Sequence, residues 1–443
     1  MRVALISPRG PLYRFDGIWK KSLRYQPLTL TTLAALIPDD LNVDLTVMDE
    51  GIMPIDTSLD FDLVAISIIT GSANRGYEIA DEYRSRNIPV VIGGVHVTLH
   101  PEDAKPHADT IVEGYAEKTW PQLLRDFSKG KMKKRYIQDT CKRCEISVPI
   151  ARRELLPADK YVTPHTMEAT RGCPHNCEFC VVPSAWKGFY TRPVQDVVDE
   201  IKYMEAKRVL FLDLNLIGDE TYAKELFTAL IPLNIEWGGL TTTKVTWDGE
   251  LYSLLVKSGC KGLLLGLEST QSESNLETYK GFNNMTDYHK TIKTLHDNDI
   301  AIMGCFAMGF DHDNTESFQK TVDFIMQTGI DLPRFAIVTP FPGTALNKRL
   351  KEEGRIITED WDLYDVQHVV FQPKNFTPEE LAKNTEKIWR EVYKTKNIIK
   401  RFNTSGNWTL YGLGANLGYQ YYAKNLHKYY ACEVTPTVIK GNK

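Results

Sequence analysis

No run of ~18 apolar residues occurs anywhere in this 443-residue chain, so no segment reads as a membrane-spanning helix. A basic field is missing too. The formal net charge is −4, which gives no means of holding nucleic acid by neutralising its phosphates. The opening Met-Arg-Val-Ala-Leu-Ile-Ser-Pro is too brief an apolar stretch for the core of a signal peptide. Cysteine is sparse: eight residues, three of them crowded into 171–180, which fits metal ligation in a reducing cytoplasm and not a disulfide framework. The expectation is a cytoplasmic protein of two or three domains, with no membrane span and no nucleic-acid partner.

The crowded stretch, Arg-Gly-Cys-Pro-His-Asn-Cys-Glu-Phe-Cys, constrains the chemistry most tightly. Thiolates at Cys173, Cys177 and Cys180 can hold three irons of a [4Fe–4S] cluster, which ordinarily takes four Cys ligands. The fourth iron is left open to bind a reacting molecule. A zinc knuckle would pair two Cys-x2-4-Cys elements or recruit His ligands, and His175 lies inside the loop. Cys141 and Cys144 form a second, isolated pair with too few neighbours for another cluster and read as part of a linker.

Apolar strands alternating with helices are predicted over 1–135, at 2–6, 43–48, 63–68, 89–92 and 110–112, with helices over 28–37, 73–86 and 115–127. The pattern calls for a flavodoxin-like, Rossmann-type parallel sheet covered on both faces. Its ligand should lie beyond the strand ends, at Ser7, Pro8, Ser67, Ile69, Thr70, Gly71, Gly93, Gly94, Val95, His96, Glu113 and Gly114. A charged linker follows over 136–160. Six further strand–helix units fill 161–357, with strands near 166–171, 208–213, 235–241, 262–267, 300–306 and 334–339, which suggests a partial (β/α)6 barrel. Residues 358–443 read as a helical, aromatic-rich C-terminal cap.

The cysteine run resembles the signature of the radical S-adenosylmethionine (SAM) superfamily, Phe179 being the aromatic before its last Cys. That resemblance implies a [4Fe–4S] cluster whose open iron chelates SAM and reduces it to a 5′-deoxyadenosyl radical. It also implies SAM contacts at Phe179, Asp213, Asn215, Thr243, Glu268, Ser269 and Met308; Gly266-Leu267-Glu268-Ser269 is similar to the family's ribose- and amino-contacting motif. Residues 1–135 resemble the cobalamin-binding domain joined to many radical SAM enzymes, through the Gly-Gly-x-His-x-Thr-x-x-Pro stretch at 93–101 and the Asp-x4-Gly-x2-Glu stretch at 109–117. Mutase-type carriers place a His on cobalt through Asp-x-His-x-x-Gly, and Asp49-Glu50-Gly51 supplies none. Cobalamin is therefore expected base-off, with no His from the protein on cobalt. The stretch 339–344, Thr-Pro-Phe-Pro-Gly-Thr, also resembles cobalamin-dependent radical SAM members.

The resemblance implies a C-methyltransferase that abstracts hydrogen from an unactivated sp3 carbon and quenches the carbon radical with a methyl group from methylcobalamin. Its substrate would be a peptide segment or a large flat or apolar molecule, and electrons would come from a flavodoxin- or ferredoxin-type donor. An oxidase or cyclase using the same cofactors is the alternative. A methylthiotransferase fits less well, because no Cys precedes Cys141 to hold the second cluster such enzymes carry. Lys187, Arg192 and Lys244 are the basic residues near the expected mouth. No individual catalytic side chain is assigned.

Overall fold

The computed structural model describes residues 1–10, 22–138, 143–271, 273–274 and 285–426. The first half contributes strands β1 (Arg2–Ser7), β2 (Ser22–Tyr25), β3 (Asp44–Asp49), β4 (Leu63–Ser67), β5 (Val90–Gly93), β6 (Thr110–Glu113) and β7 (Arg135–Ile137). All but β2 line up in one parallel sheet of order β3-β1-β4-β5-β6-β7. The two-residue period of a strand sends alternate side chains to opposite faces. Ala4 and Ile6 of β1 accordingly enter one buried core, while Val3 and Leu5 enter another. Both faces are covered, which is why these strands read as unbroken apolar runs. The sheet takes in β7, from a stretch whose charged sequence reads as linker; Arg135 pays out its charge to Glu113 on β6, at 2.5 and 2.8 Å.

The second half contributes β8 (Arg143–Glu145), β9 (Tyr161–Thr163), β10 (Thr166–Met167), β11 (Thr170–Gly172), β12 (Phe189–Thr191), β13 (Arg208–Phe211), β14 (Glu236–Thr241), β15 (Cys260–Glu268), β16 (Ala301–Met308) and β17 (Leu332–Ile337). Six of them form the parallel, open barrel in chain order, β10-β13-β14-β15-β16-β17. Outer helices begin at side-chain caps: Asp219 accepts from the Tyr222 amide and Asp248 from the Leu251 amide.

The expected first strand over 166–171 is two strands. The amides of Ala169 and Thr170 are drawn off by the Asp213 carboxylate, so the chain leaves the barrel after Met167. It then pairs antiparallel with β12 in a small separate sheet that also holds β8, and with it Cys144. Cys141 lies outside the described residues.

Beyond the barrel the chain does two things. Trp361, Leu363, Tyr364 and Val370 return to the N-terminal sheet and are buried in the same core as Ile66 and Ile92. Helices Pro378–Val392, Thr395–Ser405 and Leu410–Lys424 then pack beside the barrel. Several of their aromatics are core: Trp389 meets Phe335 of β17 edge-on at 5.2 Å and stacks with Tyr393 and Tyr419. Among the described residues no helix is long and apolar enough to cross a membrane.

Candidate functional site

The three clustered cysteines lie on the loop that leaves β11. Gly172 turns the chain into it with φ +81°, and a Cβ there would sit 2.0 Å from the Gly188 carbonyl, so only glycine fits. Cys177 is buried, Cys173 and Cys180 are partly exposed, and none is in a disulfide. The Cys180 amide donates to the Cys177 carbonyl at 3.1 Å, and the Asn215 side-chain amide approaches Cys173 Sγ at 3.8 Å. Among the described residues no three His, Cys, Asp or Glu side chains converge on a single metal ion. A structural zinc takes four ligands on one ion, whereas a [4Fe–4S] cluster takes each thiolate on a different iron.

Asp213, Asn215, Thr243, Glu268, Ser269 and Met308 all stand at or just past the carboxyl ends of β13 to β16, the barrel edge that also carries the cysteine loop. Their situations differ. Asp213 is fully committed to holding the main chain, accepting from the Ala169 and Thr170 amides and from the Thr170 hydroxyl at 2.7 Å. Burial pushes its carboxyl up to about 7, against the pull of those donors. Glu268 sits at a bulge in the β15–β16 ladder with φ +60°, a strained position for a non-glycine residue and a common mark of a ligand site. Asn215 Oδ1 and Thr242 Oγ1 are buried polar atoms with no hydrogen-bond partner among the described residues. Such orphans are rare, and here they suit a polar ligand seated at the strand ends.

A cavity of about 450 Å³ opens between this edge and the N-terminal sheet. Of the residues expected there, Ser7, Pro8, Ser67, Ile69, Gly93, Gly94, Val95 and Gly114 line it. Gly94 has φ +103°, and a Cβ would meet the Ile68 carbonyl at 2.4 Å. Four other expected residues do not reach the cavity. His96 is completely buried, with Nδ1 against Thr70 Oγ1 at 3.2 Å and Nε2 against Asp103 at 3.1 Å. Thr70 is its partner, Gly71 packs under Gly10, and Glu113 is paired with Arg135. Burial alone would raise Asp103, but His96 and the Tyr77 hydroxyl hold it at about 2.

Sequence reading missed the cavity's other wall. Leu30, Leu33 and Leu36, on and just after the helix Thr29–Ala35, form an apolar side facing Ala65 and Val91 of the sheet. Tyr115, Glu117, Arg171, Trp186 and Leu212 close it from the domain boundary. Arg171 pairs with Glu117 and, at 2.9 Å, with Glu168, while its guanidinium lies 5.0 Å above the Tyr115 ring. Tyr115 stacks on Trp186 at 4.8 Å. Arg171, in the short strand Thr170–Gly172 that leads into Cys173, was the available signal. Lys187, Arg192 and Lys244 divide: Lys187 is exposed, Arg192 is buried against Glu200 at 2.7 Å, and Lys244 lies over Trp247.

Comparison with known proteins matches the Radical SAM superfamily profile to residues 167–325 and the B12 binding domain profile to 22–124. The chain is 34% identical to bacteriochlorophyllide d C-12(1)-methyltransferase of Chlorobaculum tepidum, over 85% of this chain and 84% of that one. It is 31% identical to the bacteriochlorophyllide d C-8(2)-methyltransferase of the same organism, over 84% and 87%. The fold matches the radical SAM methyltransferase TsrM of Kitasatospora setae, solved with cobalamin and a [4Fe–4S] cluster bound, with TM-score 0.64, 17% identity, and 80% and 78% of the two chains covered.

Proposed function

The chain belongs to the cobalamin-dependent radical SAM methyltransferases, and from that premise we propose how its own residues divide the work on a large, apolar, ring-built substrate. Cys173, Cys177 and Cys180 hold the cluster. Asn215, Thr243, Glu268, Ser269 and Met308 orient SAM at the strand ends, with Phe179 packed behind the loop against Phe310 at 5.8 Å. Asp213 acts one step back, fixing the turn that launches the cysteine loop.

Ser7, Ser67, Gly93, Gly94, Val95 and Gly114 would hold the cobalamin, in a cavity that continues into the apolar slot between the sheet and the helix Thr29–Ala35. When bound, the cluster with SAM supplies a radical able to take hydrogen from an unactivated carbon, and cobalamin supplies the methyl group. The protein orients the partners and excludes water. One observation carries this reading: a single cavity is lined both by the Gly93-Gly94 turn and by Arg171 and Leu212 beside the cysteine loop.

A large flat apolar ring is the substrate class this reading favours. The curated relatives' bacteriochlorophyllide substrates are of that kind. Electrons are expected from a flavodoxin- or ferredoxin-type donor in the cytoplasm. Mass spectrometry of turnover with CD3-labelled SAM and a panel of tetrapyrrole and polycyclic substrates tests the proposal. A product carrying CD3 beside 5′-deoxyadenosine is expected; an unlabelled product lighter by two hydrogens would mean oxidation or cyclisation.

A further inference from the structure

The stretch 339–344, Thr-Pro-Phe-Pro-Gly-Thr, links two sites that lie on different domains. On one side Gly343, with φ +77°, is pressed onto Leu99; a Cβ there would stand 3.1 Å from both the Leu99 carbonyl and its side chain. Leu99 ends the short helix Val95–Leu99 that starts directly after Gly93-Gly94. Thr344 then caps the helix Ala345–Glu352, accepting from the Asn347 amide at 3.1 Å, and Asn347 donates back to the Pro340 carbonyl at 2.8 Å. Turn and helix are therefore one piece.

That helix grips the cysteine loop. The Leu346 amide donates to the Glu178 carbonyl at 3.1 Å, between Cys177 and Cys180 in sequence. Arg349 donates to both oxygens of the Glu178 carboxylate, at 2.7 and 3.3 Å, a bidentate pairing that fixes direction as well as distance. Arg349 is itself held by Asp311 at 2.7 Å, and Asp311 by Arg355 at 2.7 Å.

We propose that residues 340–349 form a spacer that sets the separation between the cluster loop and the cobalamin domain, with Gly343 seated on the cobalamin side and Arg349 as the positioning residue on the cluster side. This rests on the cofactor assignments above.

The test uses the full chain loaded with the cluster and cobalamin, with pulsed paramagnetic resonance measuring the distance between the reduced cluster and cobalt(II). Wild type should give one narrow distance. Arg349→Gln should broaden it, shift the reduced cluster's g-values and weaken SAM binding roughly tenfold, with iron and cobalamin contents kept. Arg349→Lys should fall between. Gly343→Ala should broaden the distance while leaving the g-values alone. Unchanged distance and g-values in fully loaded Arg349→Gln would overturn the spacer while leaving the cofactor assignments standing. If that variant loses iron, Glu178→Gln, which spares the Arg349–Asp311 pair, is read in its place by the same criteria. Wild type without cluster or cobalamin would overturn both.

Discussion

Arg171 of the barrel half and Glu117 of the N-terminal half meet in a buried ion pair across the domain boundary, with side chains 9% and 10% exposed. Two charges out of water are costly to separate, because removing one strands the other. Arg171→Gln leaves Glu117 and Glu168 facing each other without their shared cation. The expected loss is about 3–5 kcal/mol in urea unfolding, with earlier proteolysis near the boundary. An unchanged midpoint would show that the pair contributes no net stability.

Replacing Cys173, Cys177 and Cys180 together by Ala should abolish the visible cluster absorbance and SAM cleavage. Iron analysis decides the outcome. Retention of about four irons per chain would move the cluster elsewhere, since a [4Fe–4S] centre needs thiolate ligands.

Gly94→Ala should strip the protein of cobalamin. The new Cβ would overlap the Ile68 carbonyl and amide, at 2.4 and 2.8 Å, in a left-handed conformation that L residues avoid. Absorbance after reconstitution and desalting reads the bound corrinoid; full occupancy would place the cofactor away from this turn.

Cobalt(II) in the reconstituted protein should show no nitrogen hyperfine splitting from a protein ligand. His96, the imidazole nearest in sequence to the glycine turn, has both nitrogens engaged by Thr70 and Asp103. His96→Ala should lower stability without altering the cobalt spectrum. A splitting that vanishes in this variant would reverse the assignment.

Asp213 gives a pH dependence of known sign. Folding raises its carboxyl from 3.8 to about 7, with burial the largest cause. Between those values the unfolded chain releases a proton that the folded chain keeps. Its stabilising contribution is therefore complete below about pH 4 and lost as pH rises through 7, on the order of a few kcal/mol. Asp213→Asn keeps an acceptor for Ala169 and Thr170. Melting temperatures from pH 4 to 8 should fall more steeply in wild type than in this variant; parallel curves would contradict it.

The alternating apolar runs made both sheets legible, because strands buried on two faces have no polar period to hide them, and three thiols at x3 and x2 spacing made the cluster loop legible. What escaped the sequence is what depends on partners far along the chain. Tyr136 and Ile137 read as linker until β7 is seen paired with β6. Asp213 reads as a ligand contact until its carboxylate is seen wrapped by the Ala169–Thr170 turn. His96 sits in the right motif yet points into the Asp103 network, a choice made by Tyr77 and by the indole of Trp361, which donates to Asp103 at 3.0 Å. The helical C-terminal region was foreseen, with aromatics in its core: Trp389 packs against Phe335 of β17 and stacks with Tyr393 and Tyr419.

The burial of Trp361, Leu363, Tyr364 and Val370 against Ile66 and Ile92 has a consequence for synthesis. The ribosome delivers the N-terminal sheet and its helix Ala73–Ser85 early, yet the part of this core that Trp361, Leu363, Tyr364 and Val370 close stays open until the whole barrel has been translated. The nascent chain must carry that open face meanwhile, a state prone to wrong association. For the same reason a gene fragment ending soon after β7 would encode a sheet lacking the part of its cover that Trp361, Leu363, Tyr364 and Val370 supply.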